Sequence, residues 1–245
     1  MHIFSMMRRA SAVLLAAALC ASAAAAGTDP AVSAEPKPMV ALTFDDGPSK
    51  TNTPKILDVL ETNGARATFF VVGRNAAENA PILQRAAALG CEIGNHTWDH
   101  AKLTELTNRQ IQTQLQKTDD AVSDALGIRP ALVRAPCGRY GCSVCSALDR
   151  PIILWSVDPR DWTYGDTRAK NTVQNREKVI RAATENVQDG DIILLHDLYA
   201  FTAQCCEEIV PRLQDMGFSL VTVSELMENR GVRLQTGTTY RRVPQ

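Results

Sequence analysis

The chain has 245 residues, 45% hydrophobic and 22% charged, a composition that excludes disordered and fibrous classes. Lys and Arg number 26 against 27 Asp and Glu, a formal net charge of −1, so no whole-molecule basic field draws it to nucleic acid or anionic membranes. There are only four histidines and seven cysteines, so any histidine chemistry must draw on very few residues.

Residues 1–26 read as a secretory signal. Arg8 and Arg9 close a basic start, an Ala, Val and Leu run follows, and Ala21, Ser22 and Ala23 supply small residues for cleavage. The apolar run is shorter than the roughly 20 residues a spanning helix needs. An exported protein without stable membrane insertion is therefore expected, in the periplasm, the cell envelope or outside the cell. Residues 27–38, with Pro30, Pro36 and Pro38, read as a linker. A single catalytic domain is expected over 39–230, with 231–245 as a C-terminal tail of no clear periodicity.

From Met39 onward, short apolar runs alternate with longer amphipathic segments. The runs fall at 39–44, 67–72, 91–94, 131–133, 151–157, 191–195 and 218–223. Most are nearly unbroken rather than alternating, the pattern of strands covered on both faces of a parallel sheet. Between the first two, Thr53 before Pro54 predicts a cap followed by proline in the first helical turn. Between the third and fourth, Thr107 and Gln110 fit a capping box. Ile111, Leu115, Thr118, Val122 and Leu126 then line one helix face, and Gly127 stops the helix. Such alternation predicts an α/β fold with right-handed crossovers. Seven units suit either a barrel one strand short of eight or an open doubly wound sheet. In both, ligands bind beyond the carboxyl ends of the strands.

Polar residues collect at those ends. The first run leads into Asp45-Asp46-Gly47-Pro48, the third into His96 to His100, and the fourth into Arg134 to Gly138. The fifth leads into Asp158 to Trp162, and the sixth into His196-Asp197. On a helical turn, His96 and His100 would project the same way and share one metal. Two imidazoles with a carboxylate suit Zn²⁺ with a position left open for water. Asp-Asp-Gly-Pro is also ordinary turn chemistry. For one aspartate to bind metal while the other takes a proton, the backbone must turn at Gly47. Asp158 is expected to orient a loop and Asp197 to cap the following helix.

These five segments resemble, in order, the motifs of the NodB-type polysaccharide deacetylases, carbohydrate esterase family four, over Val40 to about Leu226. The resemblance implies a distorted (β/α)7 barrel in a single domain. It implies Asp45 as general base, and Asp46, His96 and His100 as ligands of a divalent metal, Zn²⁺ in the first place and Co²⁺ or another ion otherwise. His196 is implied as general acid, Arg134 as the arginine holding the base, and Asp161 as the partner of the acid. Trp162 and Leu194 would wall the acetyl pocket, and the backbone N–H of Cys137 would hold the oxyanion. Cys137 itself departs from the family pattern, which has an aromatic there. The implied activity is removal of N-acetyl groups from an acetylated polysaccharide, peptidoglycan or chitin-like. An O-acetyl xylan esterase and a metal-containing carbohydrate-binding domain are the alternatives.

Six cysteines would remain after cleavage, and an even count in an exported protein argues for disulfides. Cys137, Cys142 and Cys145 follow the fourth strand, and Cys205 and Cys206 follow the sixth. A bridge between these two loops is expected to brace the groove. A second zinc site at Cys142 and Cys145, and free thiols in a reducing niche, are the alternatives. The oligomeric state is not legible in the sequence.

Overall fold

The computed structural model describes residues 37–165 and 167–243. The expected signal segment and nearly all of the linker lie outside the described residues. Fifteen strands and α-helices follow in chain order. The first half holds β1 (Met39–Asp45), α1 (Thr53–Thr62), β2 (Thr68–Val71), α2 (Gly73–Glu78), α3 (Ala80–Ala88), β3 (Glu92–Asn95) and α4 (Asn108–Leu126). The second holds α5 (Cys142–Ala147), β4 (Ile152–Ile153), α6 (Val173–Thr184), β5 (Ile192–His196), α7 (Ala200–Asp215), β6 (Ser219–Val221), α8 (Val223–Asn229) and β7 (Thr239–Tyr240).

Every ladder between these strands is parallel. The order β3-β2-β1-β5 forms the main sheet. Single bridges close it into a barrel: Asn95 to Val133, Val133 to Ile152, and Val157 to Ile193. The distortion is thus local. The run 131–133 contributes one bridging residue, and 151–157 only the two residues of β4 and the bridge at Val157. β6 pairs with the lower half of β1, while β2 takes the upper half. The C-terminal stretch is not loose. Thr239 and Tyr240 pair with Ile152 and Ile153, and Tyr240, Val232, Leu234 and Val243 pack with Ile153, Ile192 and Leu226.

Strand parity sets what faces where. Val40, Leu42 and Phe44 of β1 pack outward in the large core against α1, α3 and α7, together with Ile193 and Leu195 of β5. Ala41 and Ile192 face the barrel interior with Phe70 and Ile153. Continuing that inner row brings Thr43 and Asp45 of β1 beside Leu194 and His196 of β5. Helix α4 matches its sequence signals. Thr107 and Gln110 form the reciprocal capping box, and Gly127 adopts φ 69° at the C-cap. At α1 the cap position is Asn52 and not Thr53, whose hydroxyl instead bonds Asp197.

The expected inter-loop disulfide is not formed; all six described cysteines are free. Cys205 and Cys206 point from α7 into the large core, fully buried. Cys145 packs on α5 against a separate cluster with Leu103 and Ile111, while Cys137 and Cys142 are exposed.

Candidate active site

The carboxyl ends of the strands surround one cavity of about 390 Å³. Asp45, Asp46, His96, His100, Cys137, Trp162, Leu194 and His196 line it, with Trp155, Asp158 and Tyr199. The structure therefore gathers eight of the ten sequence-derived site residues on one wall or another. The other two, Arg134 and Asp161, are fully buried behind them.

Arg134 lies under Asp45. Its guanidinium donates to Asp45 Oδ1 at 2.8 Å, Thr43 Oγ1 at 2.7 Å, and the carbonyls of Ile153 and Leu154 at 3.0 and 2.9 Å. The faces of Phe70 and Trp155 lie 4.1 and 5.6 Å from its carbon. Burial pulls its pKa down, and the Asp45 charge works against that. Such a fully bonded cation fixes the position of the carboxylate it meets.

His196 sits directly across from Asp45 in the β1–β5 register. Its Nδ1 meets Asp161 Oδ1 at 2.9 Å. Asp161 Oδ2 accepts from the His196 backbone N–H at 2.8 Å and from the Thr202 hydroxyl at 2.7 Å. Burial opposes a charge on this ring, but Asp161, with Asp45 and Asp46, outweighs it and raises the pKa to about 9. One strand pair thus presents a carboxylate and a cationic imidazole side by side.

The turn that parts the two aspartates occurs at Asp46 itself, at φ 77°, and not at Gly47. Gly47 is needed for space instead, because a Cβ there would lie 2.0 Å from Asp197 Oδ2. Asp197 is fully buried and accepts from Thr53 Oγ1 at 2.5 Å, so it does not cap α7. Burial, helped by the charge of Asp46, pushes its pKa up to about 7. Asp158 does orient a loop: its carboxylate accepts from the Arg160 N–H at 2.9 Å.

The histidine pair lies on an irregular turn and not on a helical one. Thr97 at φ 68° and His100 at φ 62° swing both rings to the same point. His96 Nδ1 is 2.8 Å from the Arg134 carbonyl, which can only accept, so the proton sits on Nδ1 and Nε2 is left to ligate. Asp46 Oδ1 lies 3.4 Å from His96 Nε2 and 3.2 Å from His100 Nε2. That oxygen is buried without a hydrogen-bond partner among the described residues. The three ligand atoms lie within 4.8 Å of one another. An orphaned carboxylate oxygen facing two imidazole nitrogens fits a divalent cation. No other such group of three donors occurs among the described residues, and Cys142 and Cys145 belong to none.

Leu194 is buried, whereas Trp162 is 46% exposed at the cavity mouth, with the Arg160 guanidinium 5.6 Å from its ring. Sequence reasoning missed Trp155 and Tyr199, which also line the cavity. Their position at or just past the fifth and sixth strand ends was the available signal.

Residues 33–150 match the family model described as polysaccharide deacetylase. The chain is 38% identical over 201 residues to the peptidoglycan-N-acetylglucosamine deacetylase PgdA of Listeria monocytogenes, an alignment covering 82% of this chain and 41% of that protein. It therefore spans well under half the length of that relative. It is 32% identical to a peptidoglycan-N-acetylglucosamine deacetylase of Bacillus cereus, covering 77% of this chain and 88% of the other. A family 4 acetyl xylan esterase from Clostridium thermocellum, solved with a cobalt ion, superposes with a TM-score of 0.77 at 30% identity, covering 84% of this chain and all of the other.

Proposed function

The chain belongs to the polysaccharide deacetylase family, and on that premise we propose that it is an exported, divalent-metal-dependent hydrolase of N-acetyl groups on acetylamino-sugar polymers, peptidoglycan or chitin-like. One observation carries this reading. A metal-capable Asp-His-His set, a carboxylate backed by Arg134 and an imidazole backed by Asp161 converge on one cavity. No helix among the described residues is long and apolar enough to cross a membrane.

Asp46, His96 and His100 would hold the ion, and their donor set suits Zn²⁺. A bound Zn²⁺ would polarise the acetyl carbonyl and lower the pKa of a water it binds from about 16 to about 7. Asp45, held in place by Arg134, takes the proton of the attacking water. The backbone N–H of Cys137, a residue of the cavity lining, would hold the developing oxyanion. His196 gives its proton to the departing sugar nitrogen, which leaves poorly without it. Asp161 keeps that proton on His196 until it is needed, and Trp162 and Leu194 exclude water around the acetyl methyl. A carboxylate held by Arg134 and an imidazole held by Asp161 thus face each other, the arrangement that lets one site act as base and then as acid.

A second reading, O-acetyl esterase action on xylan, is favoured by the likeness to the Clostridium thermocellum esterase. Acetate release from peptidoglycan, chitin oligomers and acetylxylan separates the two. Release should stop with a chelator and return with Zn²⁺. Asp45→Asn should keep the metal and lose about 10²–10⁴ in turnover, while His100→Ala should lose the metal. Near-normal turnover by Asp45→Asn would overturn the assignment of the base. Absence of acetate from every glycan with metal present would favour a binding domain.

A further inference from the structure

The turn carrying the two histidines is held from outside by helix α4. Its three intervening N–H groups, at Thr97, Trp98 and Asp99, are all taken by side-chain oxygens anchored on or by that helix. Gln114 Oε1 accepts from Trp98 at 2.9 Å and from Asp99 at 3.3 Å. Asn95, fully buried at the end of β3, accepts from Thr97 on Oδ1 at 2.9 Å. Its amide nitrogen donates to Leu115 O at 2.9 Å and to Asp119 Oδ1 at 2.8 Å, both on α4.

Asp119 explains why Asn95 points this way. The carboxylate is 2% exposed and accepts from Arg150 Nη1 and Nη2 at 2.9 and 2.7 Å and from Arg129 Nε at 2.9 Å. Buried ion pairs of this kind are weak sources of net stability, because desolvation offsets much of the attraction. What the charge does supply is direction. A carboxylate can only accept, as can the Leu115 carbonyl, so the two together draw the Asn95 amide nitrogen and leave Asn95 Oδ1 aimed at the Thr97 N–H. Thr97 is β-branched and left-handed, a conformation that persists only when its surroundings impose it.

We propose that Asp119, acting through Asn95, and Gln114, acting on the next two N–H groups, are positioning residues that hold His96 and His100 in the geometry that receives the metal. This rests on the reading of Asp46, His96 and His100 as the metal site.

The test measures zinc affinity of the full chain by competition with a chromophoric chelator, alongside the thermal midpoint of the metal-free protein. Gln114 is only half-buried, so Gln114→Leu should stay folded and bind zinc about tenfold more weakly or worse. Gln114→Glu keeps the acceptor and should restore affinity. Asn95→Ala should weaken zinc at least as much. Val122→Ala, a cavity in the buried face of the same helix, should lower the midpoint without moving zinc affinity. Wild-type zinc affinity in both Gln114→Leu and Asn95→Ala would overturn the proposal. If Asn95→Ala fails to fold, the Gln114 pair decides alone. His100→Ala separates the two levels: if it too binds zinc normally, the metal reading itself falls; if it loses zinc while the α4 variants do not, only the positioning role falls.

Discussion

Replacing Asp161 by asparagine should move the alkaline limb of activity and leave acidic turnover largely intact. In the wild type His196 is raised from its usual 6.5 to about 9, a difference of about 3 kcal/mol at 1.36 kcal/mol per pH unit. Burial works the other way, and although Asp45 and Asp46 remain, without the Asp161 carboxylate the ring should titrate well below 9 and nearer its ordinary value. Asparagine is also a poor substitute geometrically. Asp161 accepts from three donors, His196 Nδ1, the His196 N–H and Thr202 Oγ1, whereas an amide accepts on one oxygen only. At pH 8 about 0.9 of the wild-type rings carry the proton against about 0.03 at a pKa of 6.5, a roughly thirtyfold loss of acid catalysis. Below pH 6 the two proteins should converge. A bound dication lowers both ring pKa values alike, so the separation between the limbs is the readout, measured as kcat/KM for acetate release from pH 5 to 10. Identical limbs with a loss that is uniform in pH would refute the assignment of Asp161 as the partner that keeps the acid charged. The same coupling reaches stability. A raised folded-state pKa stabilises below 6.5 and ceases to do so as pH climbs through about 9, so that decline should flatten in Asp161→Asn.

Gly47→Ala should lower the thermal midpoint by the equivalent of at least about 2 kcal/mol, because its Cβ would meet the Asp197 carboxylate at 2.0 Å; Asp197→Ser in that background should recover part of it, and a neutral Gly47→Ala would show the contact to be pliable. Arg134→Lys retains the charge but cannot reach all four acceptors of the guanidinium, so urea melts should show a loss of about 3–5 kcal/mol; a variant as stable as the wild type would mean the fork geometry is dispensable. In the folded protein, Cys137 and Cys142 should react quickly with a thiol reagent, and Cys91, Cys205 and Cys206 only after denaturation. Burial pushes the Cys205 thiol to about 12, which reinforces that order. A non-reducing peptide map showing any of these five bridged would contradict the free thiols.

The functional side chains were legible because each sits where a parallel strand ends. Asp45, His96, Arg134 and His196 could be placed by the alternation of apolar runs with helices, and by residue type. Helix α4 was legible for the same kind of reason, since Thr107, Gln110 and Gly127 act locally. What escaped is tertiary. Asp46, Thr97, His100, Cys137 and Arg160 all have positive φ at or beside the site, and only one further described non-glycine residue, Asn186, shares that property. Left-handed backbone is uncommon at any non-glycine residue, and even Asp46 and His100, of the types that tolerate it best, carry no local signal that requires it. The helical turn expected for His96 and His100 failed on this point, and so did the turn expected at Gly47. The barrel was implied by the family resemblance; periodicity alone left an open sheet as an alternative, because closure rests on Val133, bridged to Asn95 and Ile152, and on Val157, bridged to Ile193, too little for a periodic signal. The expected disulfide followed from the even cysteine count, but Cys205 and Cys206 behave as small apolar core residues.

The C-terminal strand has a consequence for how the chain comes to be finished. β7 pairs with β4, Arg242 bridges Asp191, and the Val243 N–H donates to Gly190 O. During synthesis β1, β2 and β3 can assemble early, but β5 must return to a strand about 150 residues behind it, as the Thr43 to Ile193 bond records. The gap below β4 and β5 then waits for residues 239–243. Until these arrive, β4 keeps an open edge, the kind of surface that invites mispairing and holdase binding. The Asp45–His196 pairing therefore waits on a loop closure of about 150 residues, a slow non-local step.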